Sequence, residues 1–286
     1  MKPRICILRI EGTNCELETF LAFKRLGASA DIVHLKQLIG AVKERERRDL
    51  KDYNLLVLPG GFSSGDYIRA GAILAARLKG ALGAEIADFI ADGNPILGIC
   101  NGFQVLVEMG LLPGFDAHEE REIELQQAAL TTNDSARFEC RPTLIKHENR
   151  GTCVFTQGIP KGRMLKMPCA HAEGKFFIDE QKRERYLELL EDNDQIVFRY
   201  VDPEGRYASY PWNPNGSLSN IAGICNPEGS ILGLMPHPER AFYTIMEPDW
   251  SRRARAWKLG EGSGYGDAYG DGKLIFESVL NYLRSG

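Results

Sequence analysis

The amino-acid sequence predicts an α/β protein with a mainly parallel central sheet that is flanked by helices. In the first half of the chain, short apolar runs typical of buried strands alternate with stretches of helical periodicity. This alternation is typical of a parallel sheet with helices on both faces. After Leu112-Pro113-Gly114 the strand-like runs are separated by Pro, Asn and Gly, which predicts antiparallel extensions around the same core. No internal repeat or long low-complexity linker interrupts the 286 residues, so we expect a single domain over 1–286.

The predicted elements follow from periodicity and from stop signals such as Gly27, which ends the first helix. In the first half they are a strand at 4–10, a helix at 16–26, strands at 30–34 and 55–58, a helix at 73–91, a strand at 95–97 and a helix at 103–109. In the second half the strand candidates are 141–145, 151–155, 169–178, 196–200, 221–225 and 230–234, and a closing amphipathic helix is expected at 273–283. The Gly-, Tyr- and Asp-rich segment 260–272 is predicted to be a surface loop.

Composition excludes several classes of function. The net charge of −4 gives no sign of an electrostatic grip on nucleic acid or on an anionic membrane. No apolar run reaches the length of a membrane span, and the N-terminus lacks the apolar stretch of a signal peptide. We therefore expect a cytoplasmic protein with neither a nucleic-acid nor a membrane partner.

The seven cysteines do not form a metal or disulfide pattern. Their number is odd and no C-x-x-C pair occurs, which argues against a disulfide framework and against a zinc site. The stretch Gly270-Asp271-Gly272-Lys273 is not a phosphate-binding loop, because Asp267 and Leu274 stand where that motif needs Gly and Ser or Thr. We predict no metal and no cofactor in this chain.

Cys100 is the strongest candidate for a functional residue. It lies in Gly98-Ile99-Cys100-Asn101-Gly102, between an apolar strand and a predicted helix. A strand, a sharp turn and a helix hold a nucleophile exposed at the top of a sheet, and the flanking glycines tolerate strained backbone. The start of the helix offers a partial positive charge that favours a thiolate. The alternative, a buried structural cysteine beside a turn, would be preferred if this context were absent.

His237 is the best candidate for the base that a cysteine nucleophile requires. It follows the predicted strand at 230–234, and Glu239 lies two positions further on. In an extended segment such residues point to the same side, so the carboxylate could orient the imidazole. The rival histidines are His34, His118, His147 and His171. A solvent-facing turn without a catalytic role is the alternative for 237–239.

A third element and a decoy complete the pattern. After the strand at 55–58, the backbone N–H groups of Gly60 and Gly61, together with that of Asn101, could form an oxyanion hole. Taken alone, such a Gly-Gly turn is more often only a turn. Gly223-Ile224-Cys225-Asn226 repeats the tetrapeptide at Cys100, but Pro227-Glu228-Gly229 predicts a hairpin, so we assign Cys225 a structural role.

At this point the chain resembles a known family. Residues 98–104 together with 237–239 resemble the class I (triad) glutamine amidotransferases. Further stretches are similar to the glutaminases of phosphoribosylformylglycinamidine synthase, and they extend over nearly the whole chain. These stretches are Gly12–Glu16, Pro59–Asp66, Cys100–Gln104, Arg137–Glu139, His171–Gly174, Asn213–Ser217 and Gly233–Arg240.

The resemblance implies a flavodoxin-like class I glutamine amidotransferase fold and a reaction. Cys100 would attack the side-chain amide of glutamine, and hydrolysis of the thioester would follow. Gln104 would contact the glutamine. The ammonia would pass to a synthetase subunit, which uses ATP and Mg to make formylglycinamidine ribonucleotide in purine biosynthesis, and a small accessory subunit is expected. The alternatives are an interaction module with little activity and another Cys-elbow hydrolase of similar fold.

Overall fold

A computed structural model describes residues 2–115, 126–252 and 269–285. The strands are β1 (Arg4–Arg9), β2 (Ser29–His34), β3 (Leu55–Leu58), β4 (Ile96–Ile99), β5 (Ala129–Thr131), β6 (Glu139–His147), β7 (Met164–His171), β8 (Lys175–Phe177), β9 (Ile196–Tyr200), β10 (Ile221–Cys225) and β11 (Ile231–Leu234). The α-helices are α1 (Glu16–Arg25), α2 (Leu35–Leu38), α3 (Ala72–Ala91), α4 (Asn101–Glu108), α5 (Arg183–Asp192) and α6 (Lys273–Ser285).

Nine strands form one sheet in the order β2-β1-β3-β4-β11-β10-β9-β6-β7. The five strands from β2 to β11 are parallel to their neighbours. The remaining pairings, from β11-β10 to β6-β7, are antiparallel. This confirms the predicted α/β class with a parallel core and antiparallel extensions. The sheet takes strands from both halves of the chain, as a single domain requires, although the assignment of all 286 residues to one domain stays a prediction.

The strands at the centre of the sheet are apolar on both faces because helices cover both. All four residues of β3, β4 and β11 are buried, as expected for parallel strands enclosed by helices. Helix α3 buries a stripe of apolar side chains at helical spacing. Helix α6 packs Phe276 edge-on against Phe23 of α1, with ring centroids 5.0 Å apart. Among the described residues, no helix is both long and apolar enough to cross a membrane.

The predicted strand at 151–155 is wrong. The segment turns, because the side-chain oxygen of Asn149 accepts hydrogen bonds from the backbone N–H groups of Gly151 and Cys153. Its apolar residues Cys153 and Phe155 are nevertheless fully buried. Periodicity therefore identified core residues but not their backbone conformation.

The predicted strand at 169–178 is wrong in its bounds, because it joins the last three residues of β7 to β8 and misses residues 164–168 of β7. Asn133 separates the two strands, since its backbone N–H donates to Ala172 O and its side-chain oxygen accepts from Gly174 N. The sequence analysis missed β5 and the short or polar helices α2 and α5. Of the predicted loop 260–272, residues 260–268 lie outside the described part. In the rest of that loop, Gly270 N donates to Phe242 O.

The turn between β4 and α4 is packed so closely that its two glycines cannot carry a side chain. A Cβ on Gly98 would lie 2.6 Å from Gly102 O, and a Cβ on Gly102 would lie 1.9 Å from Leu58 O. The start of α4 therefore rests directly on the end of β3. Only glycine permits this approach.

We predict that Gly102→Ala destabilises the protein by about 3 kcal/mol or more, because overpacking costs 1–3 kcal/mol even where side chains can yield. At Gly102 the atom that a Cβ would meet is the backbone oxygen of Leu58, which cannot move aside as a side chain can. The matched control is Gly80→Ala in the exposed face of α3, where a Cβ meets nothing within 4 Å. Removing that helical glycine should stabilise by up to about 1 kcal/mol. Urea unfolding of both variants tests the pair, and equal midpoints would contradict the close packing at Gly102.

Candidate active site

Three neighbouring parallel strands, β3, β4 and β11, end at the same edge of the sheet. Leu58 of β3 is in register with Gly98 of β4, and Leu234 of β11 is in register with Ile99. The residues that follow these strands must therefore lie side by side. The backbone N–H of Cys100 donates to Leu234 O at 2.8 Å. Sheet topology thus brings together the segments after residues 58, 99 and 234.

Cys100 occupies the turn with a strained backbone. Its φ of 50° and ψ of −102° are unusual for a residue with a side chain. Such strain persists only where the surrounding structure holds it, and it is common at functional sites. The residue is only 5% exposed, so the exposed position expected from the sequence is wrong, and Sγ donates to Ala170 O at 3.5 Å. Helix α4 begins at the next residue, so Cys100 lies at a helix N-terminus, as the sequence pattern predicted.

His237 and Glu239 form a buried pair. Nδ1 of His237 donates to Glu239 Oε1 at 2.5 Å, and the two side chains are 2% and 0% exposed. The backbone N–H of His237 donates to Pro168 O, which fixes the residue against β7. The expected extended geometry ends at His237, because Pro238–Ala241 is a turn of 3-10 helix. The carboxylate reaches the ring through this turn.

Electrostatics prepare His237 to carry a proton. Burial lowers its pKa, but the Glu239 carboxylate and Cys100 act in the opposite direction and together hold the pKa well above its ordinary value. Nδ1 is committed to Glu239, whereas Nε2 has no hydrogen-bond partner within the described residues. Nε2 is therefore the nitrogen that is free to exchange a proton with a thiol or a leaving group.

The predicted oxyanion-hole residues lie at this edge. A Cβ on Gly60 would be 2.8 Å from Cε1 of His237, so the Gly-Gly turn touches the imidazole. The backbone N–H groups of Gly60, Gly61 and Asn101 make no hydrogen bond in the part of the chain that the structure describes. They are donors that an oxyanion could use. Their catalytic role stays a prediction.

Gln104 is held by the protein at both ends of its side chain. Its Oε1 accepts from Asn101 Nδ2 at 3.0 Å, and its Nε2 donates to Glu173 O at 2.6 Å. Asn101 also donates to Asp66, and burial, reinforced by the Glu173 charge, raises the pKa of the Asp66 carboxyl. Gln104 thus ties the start of α4 to the segment after β7. Its predicted contact with glutamine stays a prediction, for which one N–H and one lone pair of the side-chain amide are left.

The sequence analysis missed Cys15 and Arg240. Sγ of Cys15 lies 3.9 Å from His237 Nδ1 and accepts a hydrogen bond from Arg240 Nη2 at 3.1 Å. Cys15, His237 and Glu239 place ligand atoms within 4.8 Å of one another. A cation at this position would have to displace the His237–Glu239 and Arg240–Cys15 contacts, so these side chains fit poorly as a metal site. The prediction of no metal remains untested.

The rival residues fall into different places. His34 caps α2 by accepting from Lys36 N, and Nδ1 of His147 lies 3.3 Å from Pro160 O. His118 lies outside the described residues. Of the rival histidines in the described part of the chain, only His171, at the end of β7, lies next to a residue that contacts Cys100. Cys225 is fully buried before a hairpin turn that joins β10 to β11, so no elbow forms there.

Taken together, the arrangement is one for acyl transfer. A thiol at a helix N-terminus, an imidazole with a free Nε2, a carboxylate that orients it and unpaired backbone donors are the parts that thioester chemistry requires.

Comparisons with known proteins identify the family. The model of the CobB/CobQ-like glutamine amidotransferase domain matches residues 2–283. Phosphoribosylformylglycinamidine synthase subunit PurQ of Archaeoglobus fulgidus is 53% identical over 98% of this chain and 97% of its own length. The subunit of the same name from Picrophilus torridus is 48% identical over 84% of this chain and 88% of its own length.

A solved structure, described as "Structure of PurLQS from Thermotoga maritima", matches with a TM-score of 0.69 and 33% identity, over 99% of this chain and 100% of the matched one. The chain therefore belongs to the glutamine amidotransferases and, within them, to the family of phosphoribosylformylglycinamidine synthase subunit PurQ.

Proposed function

We infer that this chain is the glutaminase subunit of a phosphoribosylformylglycinamidine synthase, which releases ammonia from glutamine for purine biosynthesis. One observation carries the proposal: the strained Cys100 elbow and the buried His237–Glu239 pair follow two neighbouring strands, β4 and β11, that are in register. The relatives named above, which match nearly the whole chain, support the choice of synthase.

The geometry supports the following mechanism. The thiolate of Cys100 attacks the side-chain amide carbon of glutamine, and the N–H groups of Gly60, Gly61 and Asn101 receive the oxyanion. His237 gives the proton on Nε2 to the departing nitrogen, which leaves as ammonia. Water then attacks the thioester while His237 takes its proton, and glutamate is released. Glu239 holds the ring and stabilises the imidazolium.

Ammonia is consumed by a separate synthetase subunit. The matched Thermotoga maritima structure is described as PurLQS, which supports a heteromeric complex that contains a PurL synthetase. The accessory subunit, and the use of ATP and Mg by the synthetase rather than by this chain, are parts of the proposal. The proposal assigns no nucleotide to the Gly272-Lys273 stretch, where Gly272 packs closely against Pro238 O and Lys273 pairs with Glu277.

A cytoplasmic location belongs to the same proposal. All seven cysteines are free, as is usual for proteins of a reducing compartment.

Replacing the nucleophile should abolish glutamine hydrolysis. We expect Cys100→Ala to lose several orders of magnitude in rate while it stays folded, because the remaining groups cannot form a thioester. The matched control is Cys140→Ser, an exposed cysteine on β6, which should keep wild-type activity. Ammonia release at equal folded concentration is the measurement. Residual activity above about a tenth of wild type would remove Cys100 from the mechanism, and would favour another hydrolase or an interaction module.

The two members of the buried pair should act unequally. His237→Ala should be nearly as harmful as Cys100→Ala, since no proton carrier remains. Glu239→Gln should retain more activity, because the carboxylate orients and stabilises rather than transfers a proton. Glu239 raises the pKa of His237, so the alkaline limb of the pH profile should lie at lower pH in the Gln variant than in the wild type. Profiles of kcat/KM against pH test this, and an unshifted alkaline limb would contradict the role of Glu239.

The partner should be required for the complete reaction. We expect the purified chain with formylglycinamide ribonucleotide, glutamine and ATP to make no amidine. Addition of the synthetase should restore the reaction, and free ammonia should replace glutamine for the synthetase alone. Glutamine hydrolysis should rise when the synthetase site is occupied, as coupling between two sites requires. Rates that are identical in all states would argue for a free-standing glutaminase.

A further inference from the structure

The end of β7 forms a wall of the active site. Pro168 O accepts from His237 N at 2.8 Å, and Ala170 O accepts from Cys100 Sγ at 3.5 Å. Consecutive Cα atoms along the chain are about 3.8 Å apart. His171, the next residue and only 3% exposed, is therefore close to the backbone that contacts the thiol, and the charge of His237 acts on its ring.

Asn133 determines which nitrogen of His171 carries the proton. The amide group of Asn133 donates from Nδ2 to the carbonyl oxygens of Arg137 and His171, both at 2.8 Å. Its Oδ1 accepts from Gly174 N at 3.0 Å. The orientation of the amide is thereby fixed, and the second contact of Oδ1, with His171 Nδ1 at 3.1 Å, must be a bond that Nδ1–H donates. In neutral His171, Nε2 then carries a lone pair and no proton.

The ring cannot turn away from this position. A Cβ on Gly174 would lie 2.5 Å from Nδ1 and 2.6 Å from Cε1 of His171, so the backbone of Gly174 packs against the ring. Nε2 is buried and makes no hydrogen bond within the described residues. Buried polar atoms normally have a hydrogen-bond partner, so this acceptor needs an explanation. His171 differs from the similarly unpaired His147 because it follows Ala170, whose oxygen contacts Cys100.

His171 also stays neutral beside a charged neighbour. Burial, together with the positive charge of His237, lowers the pKa of His171 to about 3. At neutral pH it can accept a hydrogen bond at Nε2 but cannot give a proton there. The two histidines of the site are therefore suited to opposite tasks.

We propose that Nε2 of His171 accepts a hydrogen bond from the nitrogen that leaves glutamine, first as the carboxamide NH₂ and then as ammonia. This inference rests on the proposed glutaminase function. It names His171 as a substrate-contacting residue. Ammonia needs its own lone pair to attack in the synthetase, and protonation would remove it. Because Nε2 has no proton to give, it can accept a hydrogen bond from an N–H of ammonia and leave the lone pair of ammonia free to attack.

Two conservative substitutions separate this role from a structural one. Asn places its amide where Nδ1 lies, so His171→Asn can keep the bond to Asn133 while it removes the acceptor at Nε2. Gln places an oxygen near Nε2, so His171→Gln can retain the acceptor. We expect His171→Asn to lower kcat for glutamine about tenfold to a hundredfold, which corresponds to the loss of one strong hydrogen bond in the transition state. His171→Gln should lose clearly less. A purely structural role predicts the reverse order.

A substrate without an amide nitrogen gives the second measurement. With the γ-methyl ester of glutamate, His171→Asn should change the rate less than about threefold, since no N–H is present to lose its acceptor. His147→Asn is the matched control, because His147 is also buried with an unpaired Nε2 but bonds to Pro160 instead; it should leave both rates unchanged. Thermal unfolding and binding to the synthetase verify that each variant is folded.

Nitrogen-15 NMR of histidine-labelled Cys100→Ala gives a test that does not depend on folding of a His171 variant. Nε2 of His171 should resonate as an unprotonated nitrogen and shift when glutamine is added. Each of four results would overturn the inference alone. Three are the absence of an NMR shift, an equal loss of rate on the ester, and the reverse order of the two substitutions. The fourth is build-up of the thioester in His171→Asn, which would assign Nε2 to the hydrolytic water. A wild-type complex that releases no ammonia would overturn the proposed function as well.

Discussion

The strained backbone of Cys100 is the constraint on which the rest of the site depends. A non-glycine residue at φ 50° is disfavoured by about 1–3 kcal/mol, and it persists only if its surroundings hold it. Gly98 and Gly102 let the turn close against β3, and the Cys100 N–H is anchored on β11. At the same edge of the sheet the imidazole of His237 lies against the Gly-Gly turn, and the thiol contacts Ala170 O. The site can therefore form only where the three central strands are in register.

The two buried histidines show how one pocket can hold opposite protonation states. Burial lowers the pKa of both rings, but the Glu239 carboxylate and Cys100 more than offset it for His237, whereas for His171 the charge of His237 lowers the pKa further. Enzymes separate proton-carrying from neutral groups through such differences in environment. The Glu239 carboxylate bonds to Nδ1 of His237, whereas Nδ1 of His171 meets the uncharged amide of Asn133, so only His237 has a carboxylate to stabilise its charged form.

The antiparallel part of the sheet contributes directly to the site. β7 presents the backbone of Pro168 and Ala170 to the triad. Behind it, Asn215 and Ser217 bond to Gly174 O, and Ser217 also accepts from Phe176 N. This buried polar network fixes the turn that carries Glu173, whose backbone oxygen holds Gln104. The second half of the chain is thus a supporting wall as well as an extension of the core.

The amino-acid sequence by itself determined the α/β class, nearly every central strand and the candidates Cys100, His237 and Glu239. These features are local: an apolar run, a Gly-flanked cysteine and a Pro-flanked histidine can be read within a few residues. Only the tertiary structure decided what depends on contacts between distant segments. The break between β7 and β8, the turn at 151–155 and the approach of Cys15 to His237 all arise from partners that neither periodicity nor spacing encodes. The protonation of His171 belongs to the same class, because a residue 38 positions away orients its ring and burial in the folded core suppresses its charge.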